Sequence, residues 1–141
     1  MTDTPQTNQE SNQESNRESQ SVILIVEDDP VLLKMYTEKF GFEGFKVLNA
    51  KDGEEALKLS LVEKIDIILL DIMLPRMSGT DYLARFRQNE KGKNVPVVAL
   101  TNLAEEEEKQ KALKLGVKEY LVKAMQTPEK VVETIKKYIR S

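Results

Sequence analysis

Six polar residues follow or close the short apolar runs of this chain. Val22-Ile23-Leu24-Ile25-Val26 leads into Glu27-Asp28-Asp29, Ile65 to Leu70 into Asp71, Val97-Val98-Ala99-Leu100 into Thr101, and Tyr120-Leu121-Val122 into Lys123. If the runs are parallel strands of one sheet, all four ends share its carboxyl edge, where open α/β folds bind ligands. Carboxylates crowded into one crevice repel, and their pKa values rise unless a cation compensates. Mg²⁺ suits Glu27, Asp28 and Asp71, with Mn²⁺ as the alternative: it takes one or two carboxylates, keeps waters and accepts phosphate oxygens. The set therefore points to phosphoryl chemistry. Asp71 is the nucleophile, because a carboxylate can accept a phosphoryl group as an acyl phosphate. Lys123 pairs with that carboxylate beforehand and with the phosphoryl oxygens afterwards, and Thr101 donates its hydroxyl to the same group.

The elements that must position these residues are legible in the pattern. From Val22 onward, apolar runs alternate with amphipathic segments, as expected of βαβ units around a parallel sheet. Asp28 or Asp29 can cap a helix entered at Pro30 and carrying Val31, Leu32, Met35 and Tyr36, with Gly41 as its stop. Asp52 opens a second helix through Leu59, and Thr80 to Gln88 forms a third with Tyr82, Leu83 and Phe86 on one side. A fourth runs from about Ala104 to Leu115 with Gly116 as its stop, and Glu105 to Glu108 form its dipole-favoured start. The fifth begins at Thr127-Pro128 and presents Val131, Val132, Ile135 and Ile139. With Lys46 to Asn49 as a further strand, the expected fold is α/β: a flavodoxin-like (βα)5 three-layer sandwich on a five-stranded parallel sheet.

The chain has 141 residues, enough for one domain with a real core. Its first 21 residues hold a tetrapeptide repeat, Asn8-Gln9-Glu10-Ser11, Asn12-Gln13-Glu14-Ser15 and Asn16-Arg17-Glu18-Ser19, with nothing apolar to bury. Residues 1–21 are therefore expected as a disordered polar tail and residues 22–141 as the folded domain. The tail carries four of the 24 acidic residues and one of the 21 basic ones, which accounts for the whole net charge of -3. The remainder is formally neutral, against a nucleic-acid footprint. No apolar run approaches the roughly 20 residues of a spanning helix, so no membrane association is expected. Cysteine is absent, which fits a cytoplasmic protein. Histidine is absent too, so histidine chemistry has to come from a partner.

Four segments in order, Ile23 to Pro30, Asp71 to Gly79, Val97 to Thr101 and Glu119 to Lys123, make the chain similar to the response regulator receiver domains of two-component signalling. The resemblance spans Val22 to about Arg140. It implies that Glu27 and Asp28 bind the metal, that Met73 adds its backbone carbonyl, and that Asp71 is the phosphoacceptor. Thr101, Tyr120 and Lys123 are then the switch residues. The implied donor is a phosphohistidine on a sensor histidine kinase or a histidine phosphotransfer protein. Such a domain is no conventional enzyme, although it catalyses its own phosphorylation and dephosphorylation at Asp71. The new charge would bias the surface of the fourth helix, fifth strand and fifth helix, where Lys111, Lys114, Lys118 and Lys130 are candidate contacts for an unknown output protein or for a phosphorylation-dependent homodimer. The chain ends with its fifth helix, so a stand-alone, single-domain type is expected.

Two positions depart from the family pattern. Ala124 stands where a cis proline usually follows the lysine, and a non-proline cis bond costs about 3 kcal/mol, so a trans loop and a less rigid Lys123 are expected. Asn102 stands where a small residue is common, and its side chain is expected to narrow phosphoryl access or add a hydrogen bond. Two other readings remain open. One is a receiver-like interaction module that is never phosphorylated. The other is a flavin or nucleotide carrier, which would want a phosphate-cradling loop after the first strand where this chain has three acids.

Overall fold

Side chains alternate across a strand, and that alternation sorts the apolar runs into two cores on either side of one sheet. The computed structural model describes residues 20–102 and 105–139. Strands β1 (Val22–Val26), β2 (Lys46–Ala50), β3 (Ile67–Leu70), β4 (Val97–Thr101) and β5 (Glu119–Val122) pair in parallel in the order β2-β1-β3-β4-β5. Helices α1 (Pro30–Phe42), α2 (Gly53–Val62), α3 (Gly79–Arg87), α4 (Glu106–Lys114) and α5 (Pro128–Ile139) connect and follow them. Ile23, Ile25, Ile67, Leu69, Val98 and Leu100 meet Tyr36 and Phe40 of α1 and Val131, Val132 and Ile135 of α5. The opposite faces, with Leu24, Val26, Ile68, Leu70 and Ala99, meet Ala56 of α2, Tyr82, Leu83 and Phe86 of α3, and Ala112 of α4. This is the expected flavodoxin-like (βα)5 three-layer sandwich.

Helix starts follow local side-chain chemistry. The Asp29 carboxylate accepts the Val31 and Leu32 amides at 2.9 and 3.4 Å, and Pro30 takes the first turn. Asp52 accepts from Glu55 at 2.8 Å, Ser78 from Asp81 at 3.1 Å, and Thr127 from Lys130 at 3.2 Å. Helix α4 starts at Glu106, and its cap residue Glu105 makes no side-chain cap bond. Among the described residues no helix is long and apolar enough to cross a membrane. The polar tail assigned to residues 1–21 falls, for residues 1–19, outside the described residues, as does the Ala104 start expected for α4.

Several helix ends move by one to three residues from expectation, and two boundaries differ for a visible reason. Gly41 does not stop α1, which runs to Phe42 and is ended by Gly44 at φ +98°. A lone glycine inside a helix weakens it without breaking it, whereas positive φ reverses the chain. The third strand starts at Ile67 and not at Ile65, because the Asp66 carboxylate takes the Val22 amide at 2.8 Å and holds the foot of β1.

Arg87, in the last turn of α3, holds the lower edge of the sheet together. Its Nε donates to the Leu115 carbonyl at 2.8 Å, and its Nη1 donates to the carbonyls of Gly92 and Val95 at 2.7 Å each. One side chain thus ties the end of α3 to the entry of β4 and to the end of α4. Burial lowers the guanidinium pKa from its ordinary value, but the group stays charged. Arg87→Met keeps the stem and removes every donor, so urea unfolding should show a loss of about 2–4 kcal/mol. A loss below about 1 kcal/mol would mean that the three carbonyls find water at no cost.

Candidate functional site

Sheet hydrogen bonding continues one residue past β1 and β3, and those extra residues are acids. The Glu27 amide donates to the Ala50 carbonyl at 3.0 Å and the Asp71 amide to the Val26 carbonyl at 3.0 Å. Both carboxylates are thereby fixed at the carboxyl edge, each only 5% exposed, while Asp28 beside them is exposed. Oxygens from Glu27, Asp28 and Asp71 lie within 4.8 Å of one another. Lys123 leaves β5 at the same edge and places Nζ 2.7 Å from Glu27 Oε1 and 3.0 Å from Asp71 Oδ2. The Asp29 amide donates to Glu27 Oε2 at 3.1 Å and the Met73 amide to Asp71 Oδ1 at 3.0 Å. The cleft above them is about 330 Å³, lined by Glu27, Asp28, Asp29, Leu32, Asp71, Met73, Asn102 and Lys123.

The electrostatics follow from burial. Desolvation pushes the Glu27 carboxyl above its ordinary value of 4.5; Lys123 and the Asp29 amide oppose that, and the nearby Asp71 charge adds to it. Burial acts downward on the Lys123 ammonium, yet its bonds to Glu27 and Asp71 outweigh it and hold the amine above 10.5. Three carboxylates with oxygen-only donors, two of them buried, fit a hard divalent cation.

Glu27, Asp28, Asp71, Met73 and Lys123 thus meet in one cleft. Thr101 and Tyr120 occupy a different position. Thr101 closes β4 fully buried, with the parity of Val97 and Ala99, and Tyr120 is the cross-strand partner of Ala99. Tyr120 is half-buried against the α2–α4 core, and burial, reinforced by Glu108, Asp71 and Glu105, raises its phenol pKa. Asn102, the residue after Thr101, is part of the cleft lining. The backbone after Lys123 is trans and turns through a short 3-10 segment, Lys123–Met125, yet Lys123 still reaches both acids. Met35 and Met77 pack against the cores as filler, whereas Met73, in the cleft wall, and Met125 are 58% and 77% exposed.

Gly79 is a positioning residue whose reason is invisible locally. It reads as a turn glycine, but it takes no positive φ. A Cβ there would fall on the Asp71 carbonyl oxygen and within 2.7 Å of Ile72 Cα, and the Gly79 amide donates to the Ile72 carbonyl at 2.8 Å. The start of α3 is therefore pressed onto the backbone of Asp71. Arg76, at φ +68°, shapes the same loop. A Gly-containing close approach leaves no periodic signal; only the short spacing from Asp71 hints at it.

Gly79→Ala should cost about 1–3 kcal/mol in urea unfolding, as overpacking does, and should shift the Asp71 amide resonance. Glu27 yields a pH-dependent outcome. Its folded pKa is raised, so its contribution to stability is present below 4.5 and is lost as pH rises through the folded value. Glu27→Gln has no charge to bury, so in chelator at neutral pH it should be on the order of 1 kcal/mol more stable than the parent. Millimolar Mg²⁺ should stabilise the parent and leave the variant largely unmoved. A variant less stable than the parent in chelator would show that the Lys123 pair outweighs desolvation.

Comparison with known proteins agrees with this geometry. The sequence model of the response regulator receiver domain matches residues 23–136. The transcriptional regulatory protein CpxR of Klebsiella pneumoniae is 40% identical over 109 residues, 77% of this chain and 45% of that protein. The chain thus spans less than half the length of that relative. The polar-differentiation response regulator DivK of Brucella ovis is 30% identical over 117 residues, 83% of this chain and 94% of that protein. Among solved structures, the receiver domain of sensor histidine kinase PA1611 from Pseudomonas aeruginosa PAO1 superposes with a TM-score of 0.74 at 28% identity, covering 86% of this chain and 99% of the other; it carries a magnesium ion coordinated in its active site cleft. With a fold and an edge of acids and lysine of this kind, and a family match across most of its length, the chain belongs to the response regulator receiver domain family of two-component signalling.

Proposed function

We propose that residues 22–141 act as a phosphoacceptor switch in which Asp71 takes a phosphoryl group from a partner phosphohistidine. The observation that carries this reading is the pairing of Asp71 Oδ2 with Lys123 Nζ at 3.0 Å inside a cleft of oxygen donors. In the transfer an Asp71 carboxylate oxygen attacks phosphorus as the P–N bond to the imidazole breaks. The imidazole leaves with that electron pair and takes up a proton. Lys123 passes from the carboxylate to the phosphoryl oxygens, so the cation is already in place where charge accumulates. The Met73 amide holds the carboxylate plane through Oδ1. Glu27, Asp28 and Asp71, with the Met73 carbonyl, would hold Mg²⁺, or Mn²⁺ in its place. When bound it neutralises the acids and the phosphoryl charge. The magnesium of the PA1611 receiver domain supports this assignment.

Met73, 58% exposed in the cleft wall, offers apolar surface to an approaching histidine kinase or phosphotransfer domain. The added charge on Asp71 then biases buried Thr101 and half-buried Tyr120, and through them the α4–β5–α5 surface for an output protein or a second copy. Lys111 is held by Glu108 at 3.0 Å, whereas Lys114 and Lys118 face the lower edge of the sheet. The flavin or nucleotide carrier has no support here, since the loop after β1 offers carboxylates where an anion would need donors. The unphosphorylated module differs in one measurable outcome.

With Mg²⁺ and acetyl phosphate, intact mass should rise by one phosphoryl group, and Asp71→Asn should remove the gain. Chelator should also suppress it, and Lys123→Ala should slow it by about 10²-fold or more, as loss of one charge-stabilising donor does. No Asp71-dependent gain under these conditions would favour the unphosphorylated module.

A further inference from the structure

At the opposite, amino edge of the sheet lies a second cleft, about 410 Å³, lined by Arg87, Lys93, Asn94, Val95, Lys114, Leu115, Gly116 and Lys118. It has four cations and no acid in its wall, on a folded domain that is formally neutral as a whole. The cations are not equally committed. Arg87 spends its donors on the carbonyls of Leu115, Gly92 and Val95, and Lys93 pairs with Glu90 at 2.8 Å. Lys114 and Lys118 have no ion-pair partner among the described residues. Lys114 offsets the dipole at the end of α4, but Lys118 stands outside any helix.

The described chain begins on the same edge. Gln20 and Ser21 share a recess with Lys64, Asp66, Pro96, Tyr138 and Ile139, and Pro96 is the neighbour of Val95 in the basic cleft. Strands lie about 4.8 Å apart, so the step from β1 across β3 to β4 is about 10 Å and to β5 about 14 Å. Glu18, Glu14 and Glu10 stand 3, 7 and 11 residues before Ser21. At a reach of up to ~3.3–3.6 Å per residue, Glu18 comes to the near wall and Glu14 and Glu10 can span the cleft. These three glutamates recur every fourth residue and, with Asp3, hold the chain's entire acidic excess.

We propose that this basic cleft is the docking site of the chain's own acidic repeat, with glutamates of residues 10–18 paired to Lys114 and Lys118. The tether raises the effective concentration into the millimolar range, which lets individually weak, exposed pairs act together. The docked repeat covers the basic wall against other polyanions and links the start of β1 to the end of α4. This inference is independent of phosphorylation at Asp71.

Zero-length carbodiimide cross-linking of the full chain tests it, with the monomer digested and its Glu–Lys links mapped. At low salt, links from Glu10, Glu14 or Glu18 should concentrate on Lys114 and Lys118. In about 1 M NaCl, where the Debye length is about 3 Å, their yield should fall roughly fivefold or more. Glu10→Gln/Glu14→Gln/Glu18→Gln leaves the folded domain untouched and should shift the amide resonances of Asn94, Gly116 and Lys118 while sparing those of Glu27 and Asp71. Tail links spread over lysines far from the cleft, such as Lys51 and Lys58, would overturn the proposal. So would superimposable spectra, or links found only between differently isotope-labelled copies.

Discussion

Two buried carboxylates, Glu27 and Asp71, share one ammonium at the carboxyl edge, and most of the fold serves that arrangement. Each acid is placed by a backbone bond that extends the sheet past its last strand residue, Glu27 onto Ala50 and Asp71 onto Val26. The sheet order sets β1 beside β3, so the two acids become neighbours although 44 residues separate them in the chain. Lys123 arrives from β5, two strands beyond β3, and only a long flexible side chain can bridge that interval. An arginine would bring a rigid planar fork to a place that needs a movable point charge. Gly79 completes the support by letting α3 close directly on the Asp71 backbone.

This arrangement is held against its own electrostatics. Taking charges out of water costs several kcal/mol per ion, and one lysine between two carboxylates leaves net negative charge in the cleft. The raised pKa of Glu27 reflects first its burial and, to a lesser degree, the Asp71 charge beside it. Exposed Asp28 adds to the net negative charge. A site with excess anionic charge favours a hard cation, and a cation there in turn favours an incoming phosphoryl group that bare carboxylates would repel. Stability and ligand preference therefore have one cause. The carriers of phosphate on related sheets present amide donors after the first strand; three acids at that place invert the preference.

What was legible in the sequence and what was not divides along the range of the interaction. Strand runs, helix caps at Asp29 and Asp52, and the acids at strand ends are local patterns, and apart from the start of β3 each forms where the pattern puts it. Gly41 against Gly44 shows the limit of local reading: both are glycines near a helix end, and only the positive φ at Gly44 decides which one stops α1. The start of β3 was displaced by a contact from Asp66 to Val22, 44 residues away. Arg87 lies four residues after Leu83, on the face of α3 that Leu83 and Phe86 bury. That periodicity was visible, but the three carbonyls that make a cation tolerable there come from later segments.

The sheet also divides the site from its proposed readout. Asp71, Glu27 and Lys123 meet beside α1, where Leu32 lines the cleft, whereas Tyr120 packs with the α2–α4 core and Thr101 continues the parity of that face. On the proposed reading, a charge added at Asp71 reaches the α4 side past the end of β4 and at Tyr120, on which the Asp71 charge already acts. That helix is suited to respond at one end only. Its start has no side-chain cap bond, unlike those of the other four helices, and it buries only Ala112. Its far end is fixed by Arg87 on the Leu115 carbonyl and by the reversal at Gly116, φ +86°. Displacement of α4 would accordingly be a pivot about Leu115 and Gly116, largest next to Thr101 and smallest at the basic cleft. The proposed response and the lower-edge cleft thus lie at opposite ends of one helix.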